Sequence, residues 1–429
     1  MIITINNQQF SDNSQETSEN ISFVYSTFTE KFISNAKDNG CIEFISARDL
    51  KNKVDFSNIR IVGITGTNGK TTTAAAIYSM LLDLGFKVAL QGTRGFFIND
   101  EKIEEYSLTT PVQLSNFEHI LKAQEQKCDF FIMEVSSHAM VQKRIEGLDF
   151  DLKILTNITR DHLDYHHTIE EYIAVKNSFF TDNSPKLINK DEKNAQYNVK
   201  NGYAYSLDEP STYKVQAYSF KDGMDVALNY FDETVHYSTG ITGVFNIYNL
   251  TAAIAACHIL SKKPLQEICD TLENFAGVSG RMETISVKPF VVVDFAHTPD
   301  GMQEVLKSYP TKDITVVFGA GGNRDKDKRP LMGRVAFHYA KKIIVTSDNP
   351  RFEDPDLIIE DILKGIPNLD NVEVEVNRKL AIQKAIESSN ENSVILILGK
   401  GDEEYQTIYD KKFLFNDKNI VNDFLNNNL

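Results

Sequence analysis

The sequence predicts an α/β protein built from doubly wound parallel-sheet units behind a short polar segment. Three observations predict it. Strand-sized apolar runs alternate with helical patterns twice, over about residues 58–180 and again from Gly280-Arg281 to the end, and such alternation implies right-handed βαβ units. A glycine loop, Gly63-Ile-Thr-Gly-Thr-Asn-Gly-Lys-Thr-Thr-Thr73, joins the first strand to the first helix. At 429 residues the chain is too long for one ordinary core.

In chain order, residues 1–57 are rich in Asn, Ser and Glu, with helical periodicity around Phe28–Ala36. Strands are expected at Ile61–Thr65, Val88–Gln91, Phe130–Val135 and Ile154–Asn157, and helices at Thr71–Leu84, Val112–Gln126 and Ile169–Phe180. Short β-like segments follow, such as Tyr213–Phe220 and Val226–Tyr230, then a helix at Ile247–Leu260. The second alternation has strands at Phe290–Val293, Ile314–Val317, Lys342–Val345, Val372–Val376 and Val394–Leu398. Unit boundaries are expected at 1–57, 58–282 and 283–429.

Composition narrows the function. With 41% hydrophobic and 24% charged residues the chain reads as globular, its longest apolar runs are strand-sized, and no membrane association is expected. The N-terminus lacks a basic flank before an apolar core, so a cytoplasmic location is expected. The four cysteines, Cys41, Cys128, Cys257 and Cys269, show no paired spacing and read as buried free thiols. A formal charge of −15 argues against a nucleic-acid partner.

Ligands of doubly wound sheets sit at the carboxyl ends of the strands, and the polar motifs fall there. In the first loop, Gly66 and Gly69 let backbone N–H groups approach phosphate oxygens. Lys70 supplies a cation, and the Thr71 hydroxyl can ligate Mg²⁺. Ile64 stands where the strict phosphate-loop pattern has its first glycine. The loop predicts ATP binding. Glu134, in Met133-Glu-Val-Ser-Ser-His138, is either a carboxylate paired to a nearby cation or a Mg²⁺ ligand. Residues 156–167 gather Asp161, His162, Asp164, His166 and His167. The spacing matches no familiar zinc pattern, and magnesium-phosphate chemistry fits better. Asp294 and His297 follow a strand, as a capping turn or as ribose and nucleotide contacts. Gly319-Ala-Gly-Gly322 is an incomplete dinucleotide fingerprint, with Arg324 in place of its last glycine. In Ser347-Asp-Asn-Pro-Arg351 the proline fixes a turn and Arg351 offers a planar fork for a carboxylate. Gly399-Lys-Gly-Asp-Glu-Glu404 places carboxylates suited to a substrate ammonium.

Taken together, these segments resemble the Mur ligases over residues 58–429. The resemblance rests on residues 65–72, Thr109-Thr-Pro111, residues 134–138, 160–166 and 245–249, Gly280-Arg-Met-Glu283, residues 294–300 and 324–330, Asp348-Asn-Pro-Arg351 and Gly399-Lys-Gly401. It implies three domains: a short N-terminal UDP-binding domain, a central P-loop ATPase domain and a C-terminal Rossmann-like domain that binds an amino acid. It further implies ATP-dependent amide synthesis on UDP-N-acetylmuramoyl-L-alanyl-D-glutamate during peptidoglycan precursor synthesis, by a monomer. In this family Asp-Asn-Pro-Arg marks meso-diaminopimelate, as opposed to L-lysine, as the added amino acid.

Residue by residue, the resemblance implies that Gly66, Thr67, Asn68, Gly69, Lys70, Thr71, Thr72, Asn246, Asn249, Arg281, Asp294 and His297 contact ATP. It places Thr71, Glu134, His162 and Lys176 around Mg²⁺, with Lys176 carbamylated. Thr109, Thr110, Ser136 and Arg144 match positions that hold the UDP-sugar peptide, and Ser14 is the uridine-loop candidate. Arg324, Asp348, Asn349, Pro350, Arg351, Gly399 and Glu403 match those gripping diaminopimelate. Read without the family, Lys176 is an ordinary exposed helical lysine. The chain departs from the family in its shorter N-terminal domain, in Gln15 where an arginine is usual, in lacking a Gly-His-Gln element, and in Asp402 where a histidine is usual. The rival readings are a lysine-adding ligase, a folylpolyglutamate synthase and a P-loop switch; for the last, Asn189-Lys-Asp-Glu192 resembles a guanine reader with its aspartate one position early.

Overall fold

The computed structural model describes residues 1–99, 101–105, 108–220 and 223–428; Leu429, the last residue of the expected third unit, lies outside them. Its centre is an eleven-stranded sheet. Seven parallel strands lie side by side in the order Tyr213–Ser219, Gly202–Ser206, Lys186–Asn189, Leu152–Leu155, Arg60–Thr65, Phe130–Glu134 and Val88–Gly92. Antiparallel strands extend both edges: Met224–Tyr230 and Glu233–Thr239 on one side, Gly95–Ile98 and Glu101–Glu104 on the other. The sheet is therefore mixed at its rims and parallel where the phosphate loop emerges.

Apolar clusters cover both faces of this sheet, as a parallel sheet requires. On one face the helices Lys70–Asp83 and Val244–Ser261 pack together through Ala74, Ile77, Leu250 and Ile254. Val244–Ser261 is the one helix among the described residues long and apolar enough to cross a membrane, yet 72% of it is buried in this core. The four cysteines are free and buried, in agreement with the sequence reading.

A six-stranded sheet forms the C-terminal part. Phe290–Asp294, Ser393–Leu398, Asp313–Phe318, Lys342–Val345 and Val372–Val374 run parallel, and Glu283–Val287 adds an antiparallel edge. Its faces are covered by separate apolar clusters. Beyond it, Tyr405–Ile408 and Lys411–Leu414 make a hairpin. The N-terminal segment holds a sheet that the sequence reading missed, Ile2–Ile5, Gln8–Ser11, Ile21–Tyr25 and Phe44–Ser46. Around Phe28–Ala36 the expected helical periodicity yields two short helical pieces, a 3₁₀ turn at Glu30–Phe32 and an α-helix at Ile33–Asp38.

One buried histidine ties the central sheet's edge to the helix Gln113–Glu125. The His119 ring stacks on Phe96 at 4.1 Å, and its nitrogens meet Gln91 Oε1 at 2.6 Å and Glu104 Oε1 at 2.9 Å. Burial pushes its pKa below the usual histidine value, and the opposing pull of Glu104 does not restore it. The folded chain then refuses a proton that the unfolded chain accepts below about pH 6.5. This contribution to stability is present above that pH and lost as pH falls. Replacing His119 with Gln is expected to flatten the decline in melting temperature between about pH 7 and pH 5, read by circular dichroism. A wild-type slope in the variant would contradict this assignment.

Candidate active site

The phosphate loop leaves the strand Arg60–Thr65 and is shaped by the neighbouring strand end. Thr67 N–H donates to Asn157 O at 2.9 Å, Asn68 N–H to Asn157 Oδ1 at 2.8 Å, and Thr156 Oγ1 to Asn68 O at 2.6 Å. Gly69 starts the helix Lys70–Asp83 with φ +85°, and a Cβ there would sit 2.2 Å from Asn249 Oδ1. Only glycine satisfies both constraints. The helix N-terminus beyond it carries no acidic residue in its first turn, which suits an anionic ligand.

Two lysines converge on this loop. Lys70 Nζ donates to Gly66 O at 2.8 Å and Thr67 O at 2.9 Å, while Lys176 Nζ donates to the same Gly66 O at 2.9 Å. Lys176 is 1% exposed, which corrects its reading as a surface lysine. Its helix, Ile169–Ser178, turns Tyr172 and Lys176, four residues apart, onto one inward face. Burial, and then the charge of Lys70, push the Lys176 pKa well below the usual lysine value, against the pull of Asp161.

Glu134 is the node of the adjoining region. Its Oε2 accepts from Thr71 Oγ1 at 3.0 Å, and its Oε1 accepts Thr93 N–H at 3.0 Å. Thr93 Oγ1 lies 3.0 Å from Thr109 Oγ1. Thr110 Oγ1 donates to Glu134 O at 2.9 Å and accepts Ser136 N–H at 2.9 Å, while Arg144 Nη1 donates to Thr110 O at 2.7 Å. Thr109, Thr110, Ser136 and Arg144 are therefore gathered at one strand end. The donor set fits Mg²⁺: a buried carboxylate and a hydroxyl side by side, both oxygen, beside a cradle for phosphates. Among the described residues no group of three His, Cys, Asp or Glu could hold a metal, so further oxygens would come from the triphosphate.

Asp161, 8% exposed at its side chain, lies 3.3 Å from His162 Nε2 and 3.9 Å from His297 Nε2, which comes from the C-terminal part. Burial works against ionisation of Asp161, but His162, His297 and Lys328 outweigh it and hold the carboxyl below its usual range. Burial likewise pushes the His162 imidazole below its usual pKa, against the opposing pull of Asp161.

Beside the loop a cleft is lined by Asn68, Gly69, Thr72, Asn246, Asn249, Arg281, Asp294 and His297. Asn249 Nδ2 donates to Asn246 Oδ1 at 3.1 Å, and the Arg281 guanidinium lies 4.2 Å over the Phe295 ring. Asp294 accepts N–H bonds from Met282 and Ala296, each at 2.7 Å, so both of its oxygens already shape the turn.

The C-terminal loops form a second cluster. Asn349 Nδ2 donates to Glu403 Oε2 at 2.8 Å, and Arg351 Nη1 to Gly322 O at 2.9 Å. Asp348 Oδ2 borders Gly399, and Pro350 O borders Gly322, where added Cβ atoms would clash. Arg324 Nη1 donates to Asn323 O at 3.1 Å on the same loop system. This cluster meets the central part through Arg94–Asp402 at 3.2 Å and Arg160–Asp325 at 3.6 Å. Ser14 stands apart, its Oγ donating to Asn35 Oδ1 at 2.8 Å within the N-terminal sheet unit. Nearby, Asp12 Oδ2 accepts Leu114 N–H at 3.5 Å, just past the Thr109-Thr-Pro111 segment.

Sequence reasoning missed Thr93 and Lys400. Thr93 follows the strand Val88–Gly92, and the strand-end rule alone could have found it. Asp191 of the guanine-reader lookalike accepts backbone N–H bonds from Leu207, Asp208 and Glu209 and the Tyr248 hydroxyl, so it is a loop anchor.

Comparisons with known proteins agree with this geometry. Residues 64–257 match the Mur ligase middle domain and residues 280–401 the Mur ligase glutamate ligase domain. A UDP-N-acetylmuramoyl-L-alanyl-D-glutamate--2,6-diaminopimelate ligase of Wolinella succinogenes is 52% identical over 411 residues, covering 96% of this chain and 94% of that protein. One of the same name from Helicobacter pylori is 50% identical over 425 residues, covering 96% and 95%. A solved structure of a ligase of that name matches with a TM-score of 0.68 and 29% identity, over 98% of this chain and 94% of that one. A folylpolyglutamate synthase/dihydrofolate synthase solved with Mn, AMPPNP and L-glutamate shares the fold, with a TM-score of 0.63, 17% identity and coverage of 82% and 90%.

Proposed function

Because the chain belongs to the Mur ligase family, we propose that it joins meso-diaminopimelate to UDP-N-acetylmuramoyl-L-alanyl-D-glutamate at the expense of ATP. The observation that carries this reading is the meeting of two loop clusters. The phosphate loop and Glu134 node lie on one sheet, the Asp348–Arg351 and Gly399–Glu403 loops on the other, with Arg94–Asp402 between them. The reading includes a monomer in the cytoplasm, working in peptidoglycan precursor synthesis.

In this reaction the γ-phosphoryl group of ATP passes to the D-glutamyl γ-carboxylate, giving ADP and an acyl phosphate. The diaminopimelate amine attacks the acyl carbon, a tetrahedral intermediate forms, and collapse expels phosphate and leaves the amide. Triphosphate and acceptor carboxylate repel each other, and Lys70 supplies positive charge where they meet. Mg²⁺, held by Thr71, Glu134, His162 and a carbamate on Lys176, would neutralise phosphate charge. Thr109, Thr110, Ser136 and Arg144 orient the acceptor, and contact between the two sheet units excludes water.

Phosphate release tests the proposal: it should require both the UDP-muramoyl dipeptide and an amino acid, with diaminopimelate preferred over lysine and glutamate offered in parallel. Release without any amino-acid acceptor would favour a nucleotide switch instead, and preference for lysine would favour the lysine-adding rival. Arg351→Ala is expected to raise the KM for diaminopimelate, losing about 1.5–3 kcal/mol as befits a hydrogen bond to a charged group. An unchanged KM would remove Arg351 from the amino-acid site.

A further inference from the structure

Lys400 is fully buried, and its ammonium bonds to Asn349 and Glu403, both expected to hold the amino acid, and to the backbone of Tyr405. Its Nζ donates to Glu403 Oε2 at 2.7 Å, to Tyr405 O at 2.7 Å and to Asn349 Oδ1 at 3.2 Å. Three acceptors use all three ammonium protons. A buried ammonium persists only when paired and hydrogen-bonded in this way.

We infer that Lys400 is a positioning residue that assembles the amino-acid site from three parts of the chain, the last two consecutive, an inference that rests on the function proposed above. The segments are the loop after Lys342–Val345, the Gly399–Glu403 loop and the hairpin opening at Tyr405. Regular sheet pairing does not join them; a bridge between Arg351 and Ile408 is the isolated exception. Lys400 reaches all three at once. Around it the network closes: Asn349 Nδ2 donates to Glu403 Oε2 at 2.8 Å, and Thr407 N–H donates to Asn349 Oδ1 at 2.8 Å.

The consequence is chemical. Glu403 Oε2 takes both internal donors, from Lys400 and Asn349, so the carboxylate is held in one orientation and partly neutralised. The remaining oxygen, on a side chain 36% exposed, is the one positioned to accept a substrate ammonium. Without Lys400, Asn349 keeps its bonds to Thr407 and Glu403 but loses its third partner, and the Glu403 carboxylate loses its internal cation and is held, among the described residues, by Asn349 alone.

Lys400→Met keeps the length of the stem and its apolar packing while deleting the three donors. Two steps are measured separately: acyl phosphate formed without amino acid, trapped by hydroxylamine, and amide formed as diaminopimelate is titrated. The expected result is unchanged trapping and an unchanged KM for ATP, with the KM for diaminopimelate raised about tenfold or more, as for the loss of a hydrogen bond to a charged group. Lys400→Gln, which retains donors without the charge, is expected to fall between. Retention of the first step shows that each variant is folded. An unchanged diaminopimelate KM in both variants overturns the inference, and so does parallel loss of both steps in a protein whose melting temperature still responds to nucleotide. A wild-type protein that traps acyl phosphate but rejects every amino acid refutes the proposed function itself, before any variant is made.

Discussion

Replacing Asp417 with alanine is expected to destabilise the C-terminal part by about 3–5 kcal/mol, the cost of leaving one partner of a buried ion pair uncompensated. Arg378 and Asp417 are both 0% exposed at their side chains. Arg378 Nε donates to Asp417 Oδ1 at 2.9 Å and Nη2 to Oδ2 at 2.8 Å, a bidentate pair that also reaches Leu398 O at 2.9 Å. Burial alone would lower the Arg378 pKa; the Asp417 charge outweighs it, so the guanidinium stays ionised. In Asp417→Ala the buried cation loses its ion-pair partner and keeps only the Leu398 carbonyl and the more distant charges of Asp348 and Glu403. Chemical denaturation followed by circular dichroism should show an earlier transition. Replacing both residues together with apolar side chains should cost far less, since a buried pair is often matched by well-packed apolar groups. Equal destabilisation by the single and the double variant would mean that packing, not charge, is what the pair provides. The pair also connects stability to function, because Leu398 immediately precedes the Gly399–Glu403 loop.

Much of the fold was legible because its strands are continuous apolar runs. Lys342–Val345 coincides with the observed strand, and Phe130–Val135 and Val394–Leu398 differ from it by one residue at one end. Such runs arise where both faces of a parallel sheet are covered. The N-terminal sheet was not legible, because its strands are only three to five residues long and each is broken by at least one polar residue. The edge strand Glu101–Glu104 was hidden for a similar reason, being largely exposed and charged. At the site, the glycine loop and Glu134 could be read from position alone, since strand ends face the ligand crevice. Lys176 could not: its burial depends on which face of Ile169–Ser178 turns inward, and the inward residues Tyr172, Lys176 and Asn177 are not an apolar stripe. Lys400 was passed over because a lysine between two glycines reads as a solvated loop, and its acceptors lie three to 51 residues away in sequence.

Lys176→Ala is expected to slow acyl phosphate formation by about 10²–10³-fold, the range for losing one preorganised charge-stabilising group. The physical case begins with the shared carbonyl. Lys70 and Lys176 both donate to Gly66 O, at 2.8 and 2.9 Å, so two ammonium groups would crowd one acceptor in a buried site. Burial and the Lys70 charge both favour the neutral amine at Lys176. A neutral amine adds to CO₂, forming an N–C bond and releasing a proton, and the resulting carbamate carries negative charge beside Lys70. With that carbamate in place, repulsion would become attraction, and an oxygen donor would join the Glu134 and Thr71 set. The sign of the pH dependence follows: acid protonates the amine and removes the carbamate, so activity should fall on the acid side and dissolved CO₂ should offset the fall. Formate supplied to Lys176→Ala should recover part of the lost rate, because a small carboxylate fits the space the side chain vacates. Isotope-labelled bicarbonate should give a carbamate carbonyl resonance in the wild type and none in the variant. Wild-type turnover in Lys176→Ala, or full activity of the native chain in CO₂-free buffer with no such resonance, would leave Lys176 as a buried amine that braces the phosphate loop and nothing more.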